Sequence, residues 1–342
     1  DYGVVCEVQW LHVRLKKRMT SFDTQRILKH FGLHLSELLL GSNYQKAVRL
    51  VGKYCGDATL RKLKIVDIKN LDDIMKPLDS IFQRLQKLTI DRCNFIRPVS
   101  WNVPNCSSLI ELEIEYSSNC AEIMECTFPN LERFTWQFSD MYTKRRHENF
   151  DILYEFISRH NHLKFINIRD VGGSRFLHVI DSNCNELHEL RLNYSAVHSF
   201  STSFLGSLTK LKILHLDFER ESPSQQCKYI PLLEAVKSLE VMKITSSHDD
   251  GISPQIYDVL SQLTHLRELH LTSRLVDRIP WTLLAQLRKV HLTRYDSPEI
   301  ADLPNIIEQL DNLEELVYKH WFSNDYLSEK EFLKICKIVE RR

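Results

Sequence analysis

Apolar residues recur along this chain in the order L-x-x-L-x-L, and no other feature of the sequence constrains the fold as strongly. The pattern occurs twelve times, and successive copies begin 21 to 32 residues apart, with a mean near 25. A repeat of this kind with a period of about 20–29 residues is typical of a leucine-rich repeat solenoid. The copies begin at Leu35, Leu60, Leu85, Leu109, Leu131, Leu163, Leu187, Leu211, Leu239, Leu266, Leu287 and Leu313.

Each repeat contains a short stretch with the alternation of a β-strand. Counted from the first leucine, positions 1, 4 and 6 are apolar, as in Leu187, Leu190 and Leu192. Successive side chains of a strand point to opposite faces, so positions 4 and 6 share one face and positions 3, 5 and 7 the other. The sequence therefore predicts an α/β solenoid, or horseshoe. Its parallel strands, with positions 3, 5 and 7 exposed, line the concave face, and helices and irregular segments form the convex face.

The repeats also predict the domain organisation. Residues 1–32 are expected to form an N-terminal helical segment or cap, and residues 33–342 the array of about 12 units with a C-terminal helix. A capping box of the type Ser328-x-x-Glu331 marks the start of that last helix. Apolar residues at helical spacing predict outer helices over Tyr44–Tyr54, Tyr229–Val236 and Ile256–Leu263.

Composition excludes several classes of partner. Lys and Arg together number 45, as do Asp and Glu, so net charge gives no reason to expect nucleic acid or an anionic membrane as partner. No apolar run approaches the roughly 20 residues that span a bilayer. The nine cysteines are scattered and include no C-x-x-C pair, which favours reduced thiols in the cytoplasm or nucleus. A monomeric array is the expected assembly state.

Position 9 of such repeats usually holds Asn or Cys, whose side chain satisfies backbone groups in the turn after the strand. Asn43 and Cys93 fit this rule. Weaker substitutes at the same position are Ser117, Ser139, Ser195 and Ser247. Cys93, Cys106 and Cys184 are predicted to fill half-buried sites, since no basic residue nearby in sequence would activate their thiols.

Charged residues at the exposed strand positions are the candidate partner-binding site. Basic, acidic and basic sectors follow one another, and no acid interrupts position 5 of repeats 7 to 11. An alternative is that these charges solubilise the sheet and neutralise each other, as Glu111 can with Lys87 and Arg133. The candidates are Lys62, Lys64, Lys87, Glu111, Glu113, Glu115, Arg133, Arg191, His215, Lys243, His270, Lys289 and His291.

Aromatic residues stand at position 8 of four repeats, where the strand ends. They are either anchors for a partner along the rim of the array or side chains that pack beneath the following loop. They are Tyr116, Phe138, Tyr194 and Phe218.

The sequence contains no nucleotide-binding, metalloprotease or hydrolase motif, so we predict a noncatalytic protein without cofactor. His30 and His34 have a ligand-like spacing, but Gly32 lies between them and no third ligand is near. His270 and His291 are expected to be lateral neighbours, and no third ligand was identified for them either. No metal site is predicted.

The array resembles that of F-box leucine-rich repeat proteins over roughly residues 33–340. Cys106 and Cys184 each stand three residues before a repeat leucine, Cys93 stands at position 9, and repeat lengths are irregular. The segment Val5-Cys6 followed by Trp10 is similar to the V-C-x-x-W of the final F-box helix, with the tryptophan one residue later.

The resemblance implies the substrate-binding part of an SCF-type E3 ubiquitin ligase, with a protein substrate on the concave face. A ubiquitin-ligase adaptor is an expected partner only if an F-box lies upstream of Asp1, where the chain begins without Met. The alternative is a free-standing leucine-rich repeat inhibitor or scaffold, or a sensor-type binding array, without a ubiquitin role.

Overall fold

The computed structural model describes fourteen stretches of the chain. None of the helices in these stretches is long and apolar enough to cross a membrane. The described stretches are 11–14, 21–41, 45–55, 60–68, 78–93, 106–118, 120–137, 148–169, 174–193, 208–218, 221–246, 251–272, 279–294 and 303–320.

The strands follow one another in the sheet in the order in which they occur along the chain, as in a leucine-rich repeat solenoid. The described strands are β1 (Leu11–Arg14), β2 (Leu35–Gly41), β3 (Lys62–Val66), β4 (Lys87–Asp91), β5 (Glu111–Glu115), β6 (Arg133–Gln137), β7 (Phe165–Arg169), β8 (Glu189–Asn193), β9 (Ile213–Asp217), β10 (Val241–Thr245), β11 (Glu268–Thr272), β12 (Lys289–Arg294) and β13 (Glu315–His320).

Strands β2 to β13 are the twelve strands that the leucine pattern predicts. All except β2 begin at position 3 of their repeat. Parallel pairing aligns equal positions, so that Lys243 of β10 pairs with His215 of β9 and with His270 of β11. Strand β1 is additional, and it pairs in parallel with β2.

Helices and short 3-10 turns connect the strands. The three outer helices predicted from sequence are present, with ends shifted by at most two residues. The α-helices are Ser21–Phe31, Gln45–Cys55, Asp79–Phe82, Ala121–Glu125, Glu148–Arg159, Ser174–Asn183, Pro223–Gln226, Ile230–Ala235, Pro254–Gln262 and Leu303–Gln309, and the 3-10 turns are Gly32–His34, Cys227–Tyr229 and Trp281–Leu284.

The chain forms two compact units, Asp1–Asn167 and Ile168–Arg342, and the boundary falls within β7. The predicted division at residue 32 is a different one and stays a prediction. Residues 1–32 include both β1 and the helix Ser21–Phe31. The helix predicted from Ser328 lies outside the described residues.

Each unit buries the predicted repeat positions, except in the last repeat, where Leu313, Leu316 and Tyr318 are half-buried. In the second unit, Leu211, Leu214 and Leu216 at positions 1, 4 and 6 are fully buried, and each contributes about 1.5–3 kcal/mol through the apolar area it removes from water. Aromatic rings extend both cores. Phe134 and Phe156 lie 4.7 Å apart between ring centroids in the first unit, and Phe218 and Tyr229 lie 5.2 Å apart in the second.

Position 9 acts in the first unit as the sequence predicts. The backbone N–H of Cys93 donates to Oγ of Ser117 at 2.9 Å, and that hydroxyl lies 2.9 Å from the carbonyl of Glu115. The Cys93 thiol lies 3.3 Å from the carbonyl of Asp91. Burial raises the pKa of Cys93 to about 11, so its thiol is protonated and serves as a small buried donor. Asn43, Ser139, Ser195 and Ser247 lie outside the described residues.

Candidate functional site

Positions 3, 5 and 7 share the side of the strands opposite to positions 4 and 6, and we call this side the open face. Some of its side chains are nevertheless buried, among them Thr89, Asp91 and Thr135. All thirteen charged residues predicted as partner-binding lie on it. Lys62 and Lys289 are exposed and the other eleven are half-buried. The alternation is regular in β5, where Leu112 and Ile114 are buried between the half-buried Glu111, Glu113 and Glu115.

In the first unit the charges of the open face neutralise each other, as the alternative interpretation proposed. Lys87 Nζ lies 2.8 Å from a carboxylate oxygen of Glu113 and 3.2 Å from one of Glu111. Glu111 is in turn 3.6 Å from Nε of Arg133. Such pairs are worth about 0–1 kcal/mol when exposed. In this unit the basic and acidic side chains therefore form one connected network, although the sequence had predicted separate basic and acidic sectors.

Glu113 is the most strongly held carboxylate of this network. Burial alone would raise the pKa of Glu113, but hydrogen bonds from Lys87 and from the Thr89 hydroxyl at 2.7 Å outweigh it, and the pKa is lowered. The pKa of Lys87 is raised: burial acts against its charge, and the two glutamates more than compensate. Both groups are ionised at neutral pH and hold strands β4 and β5 together.

Further salt bridges link neighbouring strands at the start of the array. Lys62 lies 3.9 Å from Glu37, and Lys64 lies 3.7 Å from Asp91. Both acids stand on the open face or next to it, at position 3 of repeat 1 and position 7 of repeat 3. Every lysine of the predicted set in this unit therefore has an acidic neighbour.

In the second unit, position 5 of five consecutive strands forms a lateral row, which we call the position-5 column. The column consists of Arg191, His215, Lys243, His270 and His291. Acids at position 3, which the pattern of position 5 alone does not reveal, interrupt the positive charge of the column. Arg191 Nη2 lies 2.7 Å from Glu189, His270 is hydrogen-bonded to Glu268, and Lys289 at position 3 lies 3.0 Å from Glu315.

Lys243 differs from the other cations of the column. Position 3 of its own strand and of β9 is occupied by Val241 and Ile213. Among the described residues no acid lies within salt-bridge distance of its ammonium group. Its lateral neighbours are His215 and His270. Lys243 is thus a half-buried cation set between two imidazole rings.

Two of these histidines are neutral at physiological pH. Burial lowers the pKa of His215 to about 4, and the nearby cations Arg191, Arg169 and Lys243 lower it further. Burial also lowers the pKa of His270, while its hydrogen bond to Glu268 opposes the shift, and His291 and Lys243 add to it. Both pKa values therefore lie below the histidine reference value of about 6.5.

His270 and His291 lie side by side with stacked rings, whose centroids are 4.1 Å apart and whose planes differ by 8°. Sequence reasoning predicted this lateral contact but found no third ligand. Glu268, two residues before His270 on the same side of β11, supplies one: the potential ligand atoms of Glu268, His270 and His291 all lie within 4.8 Å of one another. A search of position 3 together with position 5 would have identified it.

The aromatic residues at position 8 behave differently from one another. Tyr116 is 43% exposed, and its hydroxyl lies 2.6 Å from Nε2 of Gln137. Phe218 is completely buried against Tyr229. Phe218 is therefore not available to a partner. Phe138 and Tyr194 lie outside the described residues.

Comparisons with known proteins agree on the fold. The structure is similar to the leucine-rich repeat-containing protein LegL7 from Legionella pneumophila, with a TM-score of 0.52, 12% identity, and coverage of 88% of this chain and 97% of that one. It is also similar to a chain of the Rad7–Elc1 complex from yeast, with a TM-score of 0.53, 14% identity, and coverage of 84% and 76%. No protein family and no curated protein matches the sequence. The chain has a leucine-rich repeat fold.

Proposed function

We propose that this protein is a noncatalytic recognition array that binds a protein partner through the open face. The observation that carries the proposal is the series of exposed or half-buried charged side chains at positions 3, 5 and 7 of the parallel strands, beside the burial of positions 1, 4 and 6 in every described repeat except the last. Repeat proteins use extended surfaces of this kind for binding. Most charged groups on the described strands are paired with each other, an arrangement that favours recognition over acid–base chemistry.

The contact that we propose for the partner is a carboxylate at Lys243. Most other cations of the open face already have acidic neighbours, so a partner would have to compete with them. Lys243 has none among the described residues and lies between two neutral imidazoles that can donate or accept hydrogen bonds. Half-burial strengthens the attraction between an ammonium and a carboxylate, because less water screens it.

The more specific role that we propose is substrate recognition for an SCF-type E3 ubiquitin ligase, in the cytoplasm or nucleus. Its support is the resemblance of the repeats to those of F-box leucine-rich repeat proteins, at Cys93, Cys106 and Cys184. All three cysteines are buried, more completely than the half-buried sites that the sequence predicted. Rad7, whose fold is similar, was solved in complex with Elc1, which is consistent with a repeat protein that works within a protein assembly.

Charge reversal at Lys243 tests the binding surface. We expect Lys243→Glu to weaken partner capture at least tenfold, because attraction becomes repulsion at a half-buried position. Lys237→Glu is the matched control: it makes the same change of net charge at an exposed turn that precedes Leu239. The measurement is quantitative mass spectrometry of proteins captured by the full-length protein and both variants, at low and high salt.

The outcomes separate the two levels of the proposal. A protein that is lost from Lys243→Glu, kept by Lys237→Glu and weakened by salt is the expected partner. If no captured protein distinguishes the two variants, the open face around Lys243 is not the binding site. Cullin and adaptor proteins should be captured equally by all three forms. Their absence would contradict the ligase role and leave protein recognition intact.

A further inference from the structure

Three potential metal ligands meet on the open face of the second unit. Glu268 and His270 stand at positions 3 and 5 of β11, so their side chains point to the same side. His291, at position 5 of β12, is the register partner of His270. The three side chains are each about one quarter exposed. A metal ion in solvent can therefore reach them.

The donor set fits a borderline divalent cation. Imidazole nitrogen together with one carboxylate oxygen is a ligand set of catalytic zinc sites, which leave a further position open. Mg²⁺ and Ca²⁺ prefer oxygen donors alone. The hydrogen bond between His270 Nε2 and Glu268 shows that the two donors already face each other.

We propose that Glu268, His270 and His291 form a surface site for Zn²⁺, with the remaining coordination position open to water or to a ligand from another molecule. The donor atoms lie within 4.8 Å of one another, whereas ligand atoms around tetrahedral zinc are about 3.4 Å apart, given bonds of about 2.0–2.1 Å. The stacked rings must tilt so that the ion lies in both ring planes. Rotation of these partly exposed side chains supplies this movement, at a cost that weakens binding.

Charged neighbours tune the site. Lys243 of β10 is the register partner of His270, and its charge opposes a cation. Lys289 lies next to Glu268 in strand register, and its ammonium group opposes a cation. Glu315 holds that ammonium at 3.0 Å and so turns part of its charge away from the site. A carboxylate oxygen of Glu315 also lies 4.0 Å from Nε2 of His291. Removal of the Lys289 ammonium should therefore improve the site both by ending repulsion and by freeing a fourth donor.

Isothermal titration of the reduced, metal-free protein with ZnCl₂ tests the proposal. We expect one site of micromolar affinity in the wild type that excess MgCl₂ does not occupy. His270→Ala and His291→Ala should each weaken this site at least tenfold, since the loss even of outer-shell partners costs about 10–100-fold. His265→Ala is the matched control, because His265 is exposed in the turn before β11, and it should bind as the wild type does.

Lys289→Ala should bind Zn²⁺ severalfold more tightly, a gain that misfolding does not produce. Zn²⁺ should also raise the melting temperature of the wild type, since a ligand of the native state stabilises it, and should leave that of His270→Ala unchanged. The proposal is overturned if His270→Ala and His291→Ala retain wild-type affinity, if Mg²⁺ displaces Zn²⁺ at equal concentration, or if Lys289→Ala does not bind more tightly.

Discussion

A single histidine, His160, holds a helix and a loop of the first unit together. Its side chain is completely buried. Nδ1–H donates to the carbonyl of Phe156 at 2.7 Å, and Nε2 accepts the backbone N–H of Phe128 at 2.9 Å. These two bonds use one donor and one acceptor, so they require the neutral ring. The ring also packs against Phe156 at 4.2 Å between centroids.

We predict a loss of stability in acid that depends on His160. Burial lowers the pKa of His160 to about 4 in the folded protein, whereas an unfolded histidine binds a proton below about pH 6.5. The unfolded state therefore binds more protons between these two values. The contribution of His160 is complete above about pH 6.5 and is lost as pH falls toward 4, by up to about 3 kcal/mol.

The measurement is the free energy of unfolding in urea between pH 7.5 and 4 for the wild type, His160→Gln and His188→Gln. His160→Gln should be less stable at pH 7 and should fall less steeply in acid. His188 is exposed, so His188→Gln should follow the wild type. His215 contributes with the same sign, because its pKa is also lowered to about 4. Equal slopes for wild type and His160→Gln would contradict the assignment.

The turn that follows each strand is the element that decides which side chains reach the rim. In repeats 2, 3 and 4 the residue at position 8 has a positive φ: 56° at Asp67, 52° at Arg92 and 49° at Tyr116. Each donates its N–H to position 7 of the next strand, as from Tyr116 to the Gln137 carbonyl at 2.8 Å. Phe218 makes the same bond, to Thr245 at 2.7 Å.

The left-handed backbone explains the difference between two aromatic residues at equivalent positions. Tyr116 has this conformation and is exposed, whereas Phe218 is not among the described residues with positive φ and is buried. Non-glycine residues adopt a left-handed conformation at a cost of about 1–2 kcal/mol. In the first unit, lateral bonds and side-chain pairs such as Asp67–Arg92, at 2.7 Å, offset this cost.

At the scale of this element we predict that Ser117→Ala destabilises the first unit by about 1–3 kcal/mol. The substitution leaves the N–H of Cys93 buried without its acceptor, and an unsatisfied buried donor costs about that much. The measurement is the midpoint of urea unfolding. Ser107→Ala is the control, since Ser107 is exposed and its substitution should shift the midpoint little. A Ser117→Ala midpoint equal to that of the wild type would show that water replaces the hydroxyl.

For the molecule as a whole, the leucine spacing predicts the architecture because each buried position is fixed by local chain geometry. Period-two alternation assigns Leu214 and Leu216 to the core and His215 to the open face, and all three assignments hold. The sequence around strand β1 has the same spacing: Trp10, Val13 and Leu15 stand at positions 1, 4 and 6 of a repeat that begins 25 residues before Leu35. The spacing was detectable, but it begins with tryptophan rather than leucine.

The sequence by itself determined the repeat, the strand positions and the face on which each charged residue lies, since these depend on spacing along one strand. The tertiary structure decided which charges meet, which histidines are neutral and which aromatic ring is buried. Those properties depend on which residues of neighbouring strands lie side by side. Examples are Lys87 with Glu113 and His270 with His291. A half-buried charge has an energy set by its neighbours across strands, and spacing within one strand does not specify them.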